Sequence, residues 1–178
     1  MPVKEIANVV NNSYTFSDGF TVDLPFILNE QQVRLLQTLE DFIINPKSYD
    51  NSITIAGYAG TGKTTMISIF NKWLTHKLID VVFSSPTHRA NAVTKMNNPA
   101  ANVKTLHSIF GLSPIVDLEN GVYDLRKLTA QQINKPKLAY NQLLIIDEAS
   151  MVSESLYKFI EIFKLNYDLK VIYVGDPA

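Results

Sequence analysis

The chain of 178 residues contains no cysteine, so it has no disulfides to staple it and no thiolates to hold a metal. It also lacks an excess charge of either sign. Its 16 Lys and Arg against 17 Asp and Glu leave a net charge of −1. That balance excludes a generic polyanion binder, so any nucleic-acid contact must come from a local groove rather than a global field. No apolar run approaches the length of a membrane-spanning helix, and Met1-Pro2-Val3-Lys4-Glu5 carries no signal-peptide core. With the missing cysteines, these absences lead to the expectation of a cytoplasmic protein. The length suits one domain with a proper core and is marginal for two.

What is present is concentrated in Gly57-Tyr58-Ala59-Gly60-Thr61-Gly62-Lys63-Thr64-Thr65, which matches G-x-x-x-x-G-K-[ST] at every fixed position. The apolar run Ile53-Thr54-Ile55-Ala56 precedes it and a helix-like segment follows. Strand, glycine loop and helix together separate a phosphate loop from a chance match. The glycines let successive N–H groups point inward at a phosphate, and the helix adds the positive end of its dipole. Lys63 is a mobile charge for the β/γ-phosphates and the Thr64 hydroxyl a Mg²⁺ ligand. The motif implies a bound nucleoside triphosphate, ATP with Mg²⁺.

A second segment, Leu143-Leu144-Ile145-Ile146-Asp147-Glu148, is an apolar strand ending in two acids. Such a run is expected of a strand buried in a parallel sheet, and the carboxyl ends of these strands are where open α/β sheets bind ligands. Asp147 is the candidate for the Mg²⁺ shell and Glu148 for orienting and deprotonating the attacking water.

The remaining pattern alternates strands and helices. Residues 1–24 are polar, with turn signals at Asn11-Asn12-Ser13 and Asp18-Gly19, and are expected to be a loosely structured lead-in. Asn29 is a candidate N-cap for a helix to Ile44, with an apolar stripe of Leu35, Leu36, Leu39, Phe42 and Ile43, stopped by Asn45-Pro46. The helix after the glycine loop carries Ile67, Phe70, Leu74 and Leu78, and Val81 to Ser85 is a second buried strand. Residues 87–97 read as a short helix. Thr105 caps another, closed by Gly111. Ser153 starts a helix with Leu156, Phe159, Ile160 and Phe163, and Leu169 to Val174 is a last strand. The alternation predicts an α/β domain over 25–178 with a parallel sheet covered by helices on both faces. Ile115 to Glu119 and Val122 to Leu125 flank Asn120-Gly121, a strong hairpin signal, so a small β-hairpin subdomain is expected within 112–137.

In order along residues 28–178, these segments resemble the first RecA-like domain of superfamily 1 DNA helicases of the RecD/Dda type, which are P-loop NTPases moving 5′ to 3′ on single strands. Leu28-Asn29-Glu30-Gln31-Gln32 resembles the adenine-contacting glutamine motif. Gly57 to Thr65, Ser85 to Ala90 and Thr105-Leu106-His107-Ser108 resemble the next three motifs. Asp147-Glu148-Ala149-Ser150-Met151 is close to the family's acidic motif, and Tyr173-Val174-Gly175-Asp176 opens the motif that couples the nucleotide to DNA. The resemblance implies ATP contacts along Gly57, Ala59, Gly60, Thr61, Gly62, Lys63, Thr64 and Thr65. It implies single-stranded DNA at Pro86, Thr87, His88, Thr105 and His107. It also implies a pin at Asn120, Gly121 and Tyr123 that splits a duplex fork. In the family a second RecA-like domain supplies an arginine finger. Because this sequence stops at Pro177-Ala178, it is expected to be part of a longer motor and nearly inactive alone.

Some residues carry two readings. Asn29-x-x-Gln32 also fits a capping box, and Thr87 could cap a helix as well as hold a DNA phosphate. His107 could be a packed residue as easily as a DNA contact. Two rival functions stand beside the helicase. A P-loop phosphotransferase would need lid arginines, whereas Arg34, Arg89 and Arg126 are scattered. A nucleotide-switched binding module would have no use for Glu148.

Overall fold

The computed structural model describes residues 12–45, 51–86, 91–92, 95–96, 101–110 and 143–176. The expected hairpin at 112–137, with Asn120, Gly121 and Tyr123, lies outside the described residues, as do Thr87, His88 and Gly111. The chain divides into two units, Met1–Asp50 with Gly62–Ile79, and Asn51–Thr61 with Asp80–Ala178.

The first unit begins with a structure the sequence reading did not anticipate. Residues 12–24 are no loose lead-in. β1 (Ser13–Thr15) and β2 (Thr21–Asp23) pair antiparallel, with Tyr14 opposite Val22. Tyr14, Phe16, Val22 and Leu24 alternate with polar residues and are buried, the period of a strand with one covered face. Gly19 at φ +89° closes the loop, its N–H donating to the Phe16 carbonyl at 3.0 Å. Helix α1 (Glu30–Ile44) starts at Asn29 through a reciprocal capping box. The Gln32 N–H donates to Asn29 Oδ1 at 2.9 Å and the Asn29 N–H to Gln32 Oε1 at 3.0 Å. Its buried face is Val33, Leu36, Leu39 and Phe42, with Leu35 and Ile43 at the margins.

Helix α2 (Lys63–His76) packs on α1 and completes this unit. Leu78 is not part of it. The helix ends in a Schellman motif, in which the Leu78 N–H bonds the Thr75 carbonyl at 3.0 Å and the Ile79 N–H the Leu74 carbonyl at 2.9 Å. Leu78 takes the left-handed position at φ +57° and is 92% exposed. The helical spacing of Leu78 from Leu74 was therefore coincidental. The hairpin lies on α2, with the Phe16 ring stacked on Trp73 at 5.1 Å and Phe20 on His76 at 4.3 Å.

The second unit is a five-stranded parallel sheet in the order β3-β7-β6-β4-β5. The strands are β3 (Ser52–Ala56), β4 (Val81–Ser84), β5 (Asn102–Val103), β6 (Leu143–Ile146) and β7 (Lys170–Gly175). All four residues of β6 are buried, which is why its sequence is uninterrupted aliphatic rather than alternating. Helices α3 (Leu106–Phe110) and α4 (Glu154–Tyr167) share one core with the sheet. In it, Leu106, Ile109 and Phe110 meet Leu156, Ile160 and Phe163 over Val82, Leu144, Ile146 and Val171. The Phe110 ring meets Phe163 edge-on at 4.8 Å, an arrangement that aromatic quadrupoles favour. The strand–helix alternation and the parallel sheet are those of a RecA-like P-loop α/β fold.

Candidate functional site

The glycine loop leaves β3 through a tight turn. The Thr61 N–H donates to the Tyr58 carbonyl at 3.3 Å and the Thr61 hydroxyl donates to the same oxygen at 2.8 Å. Ala59 and Gly60 are the central pair, and Gly60 has φ +80°. A positive φ at the third position is what a type II turn demands and what glycine alone supplies without strain. Gly62 follows at φ +89° as the N-cap of α2. It offers no side-chain acceptor to the helix, and no acid stands in the first turn, which opens with Lys63, Thr64 and Thr65. A helix N-terminus of this make-up favours an anion.

Within the first unit, Gln32 is placed against this glycine. A Cβ on Gly62 would lie 3.1 Å from Gln32 Nε2. The capping-box reading of Gln32 is the one observed. Its Oε1 serves the cap of α1, while its amide nitrogen faces the phosphate-loop helix.

Within the second unit, three predicted segments converge at the carboxyl ends of neighbouring strands. The Gly57 N–H, at the start of the phosphate loop, donates to the Gly175 carbonyl at 3.2 Å. The Asp147 N–H donates to the Ser84 carbonyl at 2.9 Å, tying the acidic segment to the end of β4. One Asp147 carboxylate oxygen accepts the Glu148 N–H at 2.9 Å. Glu148 itself stands at φ +53°, capping the 3₁₀ turn Ala149–Met151. Left-handed backbone in a non-glycine residue is uncommon and gathers at functional sites. Nothing in the sequence signalled this conformation. Asp176 is exposed beyond β7 and Pro86 half-buried beyond β4.

The remaining predicted contacts lie in or beside α3. Thr105 caps that helix, its Oγ1 accepting the Ser108 N–H at 3.2 Å, and His107 is half-buried within it. Thr105 thus has a structural duty whatever else it binds. The Thr64 hydroxyl and the Asp147 carboxylate are hard oxygen donors of the kind Mg²⁺ selects. Among the described residues no cluster of three or more His, Cys, Asp or Glu could hold a metal by itself. No described helix is long and apolar enough to cross a membrane.

Comparison with known proteins places this geometry. A family model described as an AAA domain matches residues 40–178. An uncharacterized protein of Acanthamoeba polyphaga mimivirus is 31% identical over 137 residues, covering 69% of this chain and 27% of that protein. The ATP-dependent DNA helicase dda of Enterobacteria phage T4 is 32% identical over 120 residues, or 64% of this chain and 24% of the helicase. The RecBCD enzyme subunit RecD of Buchnera aphidicola is 30% identical over 158 residues, or 84% and 26%. The chain spans about a quarter of the length of these relatives. The chain belongs to the AAA domain family, as a helicase-type P-loop domain of the RecD/Dda branch of superfamily 1.

Proposed function

We propose that this domain binds ATP–Mg²⁺ and single-stranded DNA and works as a 5′ to 3′ DNA helicase motor. The observation that carries the reading is the glycine loop. Its two left-handed glycines, Gly60 and Gly62, feed a helix whose first turn carries Lys63 and Thr64 and no acid. In this reading the loop N–H groups and Lys63 bind the β- and γ-phosphates, and Gln32 meets the adenine. Thr64 and Asp147 would hold the magnesium, which would supply positive charge beside the phosphates. Glu148 aims the attacking water, so hydrolysis is chiefly positioning and electrostatic stabilisation. DNA runs past Pro86, Thr87, His88, Thr105 and His107, and the 112–137 segment with Asn120, Gly121 and Tyr123 parts the duplex. Gly175 and Asp176 pass the state of the nucleotide to that track.

The test is ATP turnover with and without single-stranded DNA in the full-length motor that carries this domain, unaltered and with Lys63→Ala, since the domain alone is expected to be nearly inactive. DNA-stimulated hydrolysis abolished by the substitution supports the reading, and hydrolysis that survives it overturns the reading. Stimulation by a nucleoside acceptor instead of DNA would point to a phosphotransferase.

A further inference from the structure

Gly175 is glycine for a reason other than backbone conformation. It is absent from the left-handed residues, which among the described glycines are Gly19, Gly60 and Gly62, so an alanine there meets no penalty in φ. The demand is for space. A Cβ on Gly175 would lie 3.2 Å from Ser150 N and 3.3 Å from Ala149 N, with Ala149 Cα at 3.8 Å. These are backbone atoms of the short turn that follows Glu148, and a backbone turn cannot swing aside as a side chain does.

The turn is held on its other sides as well. The Met151 N–H donates to the Glu148 carbonyl at 3.0 Å and the Val152 N–H to the Ala149 carbonyl at 3.1 Å. The Asp147 N–H is fixed to Ser84 at 2.9 Å. Left-handed backbone at Glu148 is unfavourable for a residue with a side chain and persists only where its surroundings over-determine it. The bare Cα of Gly175 is one wall of those surroundings. The same residue turns its carbonyl to the Gly57 N–H at 3.2 Å. One residue thus bonds the start of the phosphate loop with its oxygen and leaves no room for a Cβ against the turn after Glu148.

We propose that Gly175 is a positioning residue that sets the Glu148 turn against the start of the phosphate loop, so that β7 controls the placement of the water-orienting carboxylate. The proposal rests on the ATPase reading of Glu148. It makes Gly175 matter for the rate of hydrolysis and not for nucleotide affinity, because Gly175 has no side chain and its carbonyl is taken by the Gly57 N–H.

The experiment uses Gly175→Ala in the full-length motor that carries this domain, with three readouts. The dissociation constant of a fluorescent ATP analogue should change less than twofold. The single-turnover hydrolysis rate in the presence of single-stranded DNA should fall at least tenfold, about 1.4 kcal/mol in the barrier. Amide exchange at Met151 and Val152 should quicken about tenfold while that of β6 stays unchanged. Unaltered hydrolysis or unaltered exchange overturns the proposal. So does a parallel loss of affinity and rate with faster exchange in β6, which would make Gly175 a folding residue only. If the full-length motor without the substitution does not hydrolyse ATP, the ATPase reading has failed and the proposal falls with it. The exchange result then still reports separately whether Gly175 walls the turn.

Discussion

The indole N–H of Trp73 donates to the Asp18 carboxylate at 3.1 Å, so the turn of the N-terminal hairpin grips the helix that begins at Lys63. Lys77 reaches the same carboxylate oxygen at 3.1 Å, and the Phe20 N–H bonds the other at 3.0 Å. A second tie runs to α1, where Glu40 Oε1 accepts the Ser17 N–H at 2.8 Å and the Ser17 hydroxyl at 2.6 Å. Desolvation pushes the Asp18 carboxyl up, but the Phe20 N–H, Lys77 and Trp73 outweigh it and hold it below the ordinary carboxylate range. A depressed carboxylate adds stability that is present above its unfolded pKa, near 4, and is lost as pH falls through the folded value. Asp18→Ala should lower Tm by about 2–4 °C at pH 7, the equivalent of about 1 kcal/mol. The gap between variant and parent should close as pH drops below about 4. A gap that is constant down to pH 2 would remove the carboxylate from this account.

The two left-handed glycines of the phosphate loop should respond differently to alanine. Nothing lies within 4 Å of a Cβ on Gly60, whereas one on Gly62 would meet Gln32 Nε2 at 3.1 Å. Both substitutions carry about 1–2 kcal/mol of backbone strain, and only Gly62→Ala adds a clash. Denaturant titration of Gly62→Ala, Gln32→Ala and the double variant should give a non-additive cycle in which Gln32→Ala relieves part of the Gly62→Ala loss. Strict additivity would mean that the Gln32 side chain does not bear on the loop.

Leu78 is the reverse case. It is exposed, left-handed and needed only as a helix terminator. Leu78→Gly should raise stability by about 0.5–1 kcal/mol, because the relief of left-handed strain exceeds the extra entropy of glycine in the unfolded chain. A lowered Tm would show that the Leu78 side chain has an attachment of its own.

Lys164 is a basic residue with a buried side chain. Its Nζ donates to Glu161 Oε2 at 2.8 Å and Ser52 Oγ at 2.9 Å, and the Tyr173 hydroxyl donates to Glu161 Oε1 at 3.2 Å. Burial and then Glu161 hold the Tyr173 phenol far above its usual value, so at neutral pH it is a neutral donor. The pair is lopsided, Lys164 being 6% exposed and Glu161 33%. Glu161→Leu strands the ammonium and should cost about 3 kcal/mol, whereas Lys164→Met leaves a carboxylate that water can reach and should cost about 1. Chemical denaturation of both variants decides it, and the reverse order would disprove the asymmetry.

Much of this protein is determined locally, and the sequence displays that much. The buried strand β6, the N-caps Asn29, Thr105 and Ser153 and the glycine loop each follow from a few adjacent residues whose φ, periodicity or hydrogen-bonding capacity permits little else. The hairpin at 12–24 was hidden because its alternation, Tyr14, Phe16, Val22 and Leu24, spans only two short strands. Its stability comes from Trp73 and Glu40, which are far away in the sequence. Leu78 was misread for a related reason, since helical spacing records where apolar residues fall and not where the backbone turns left-handed. Only the tertiary structure decided that the end of β7 meets both the phosphate loop and the Glu148 turn. Those contacts depend on the strand order β3-β7-β6-β4-β5. That order is a matter of long-range pairing, and no local preference of the chain encodes it.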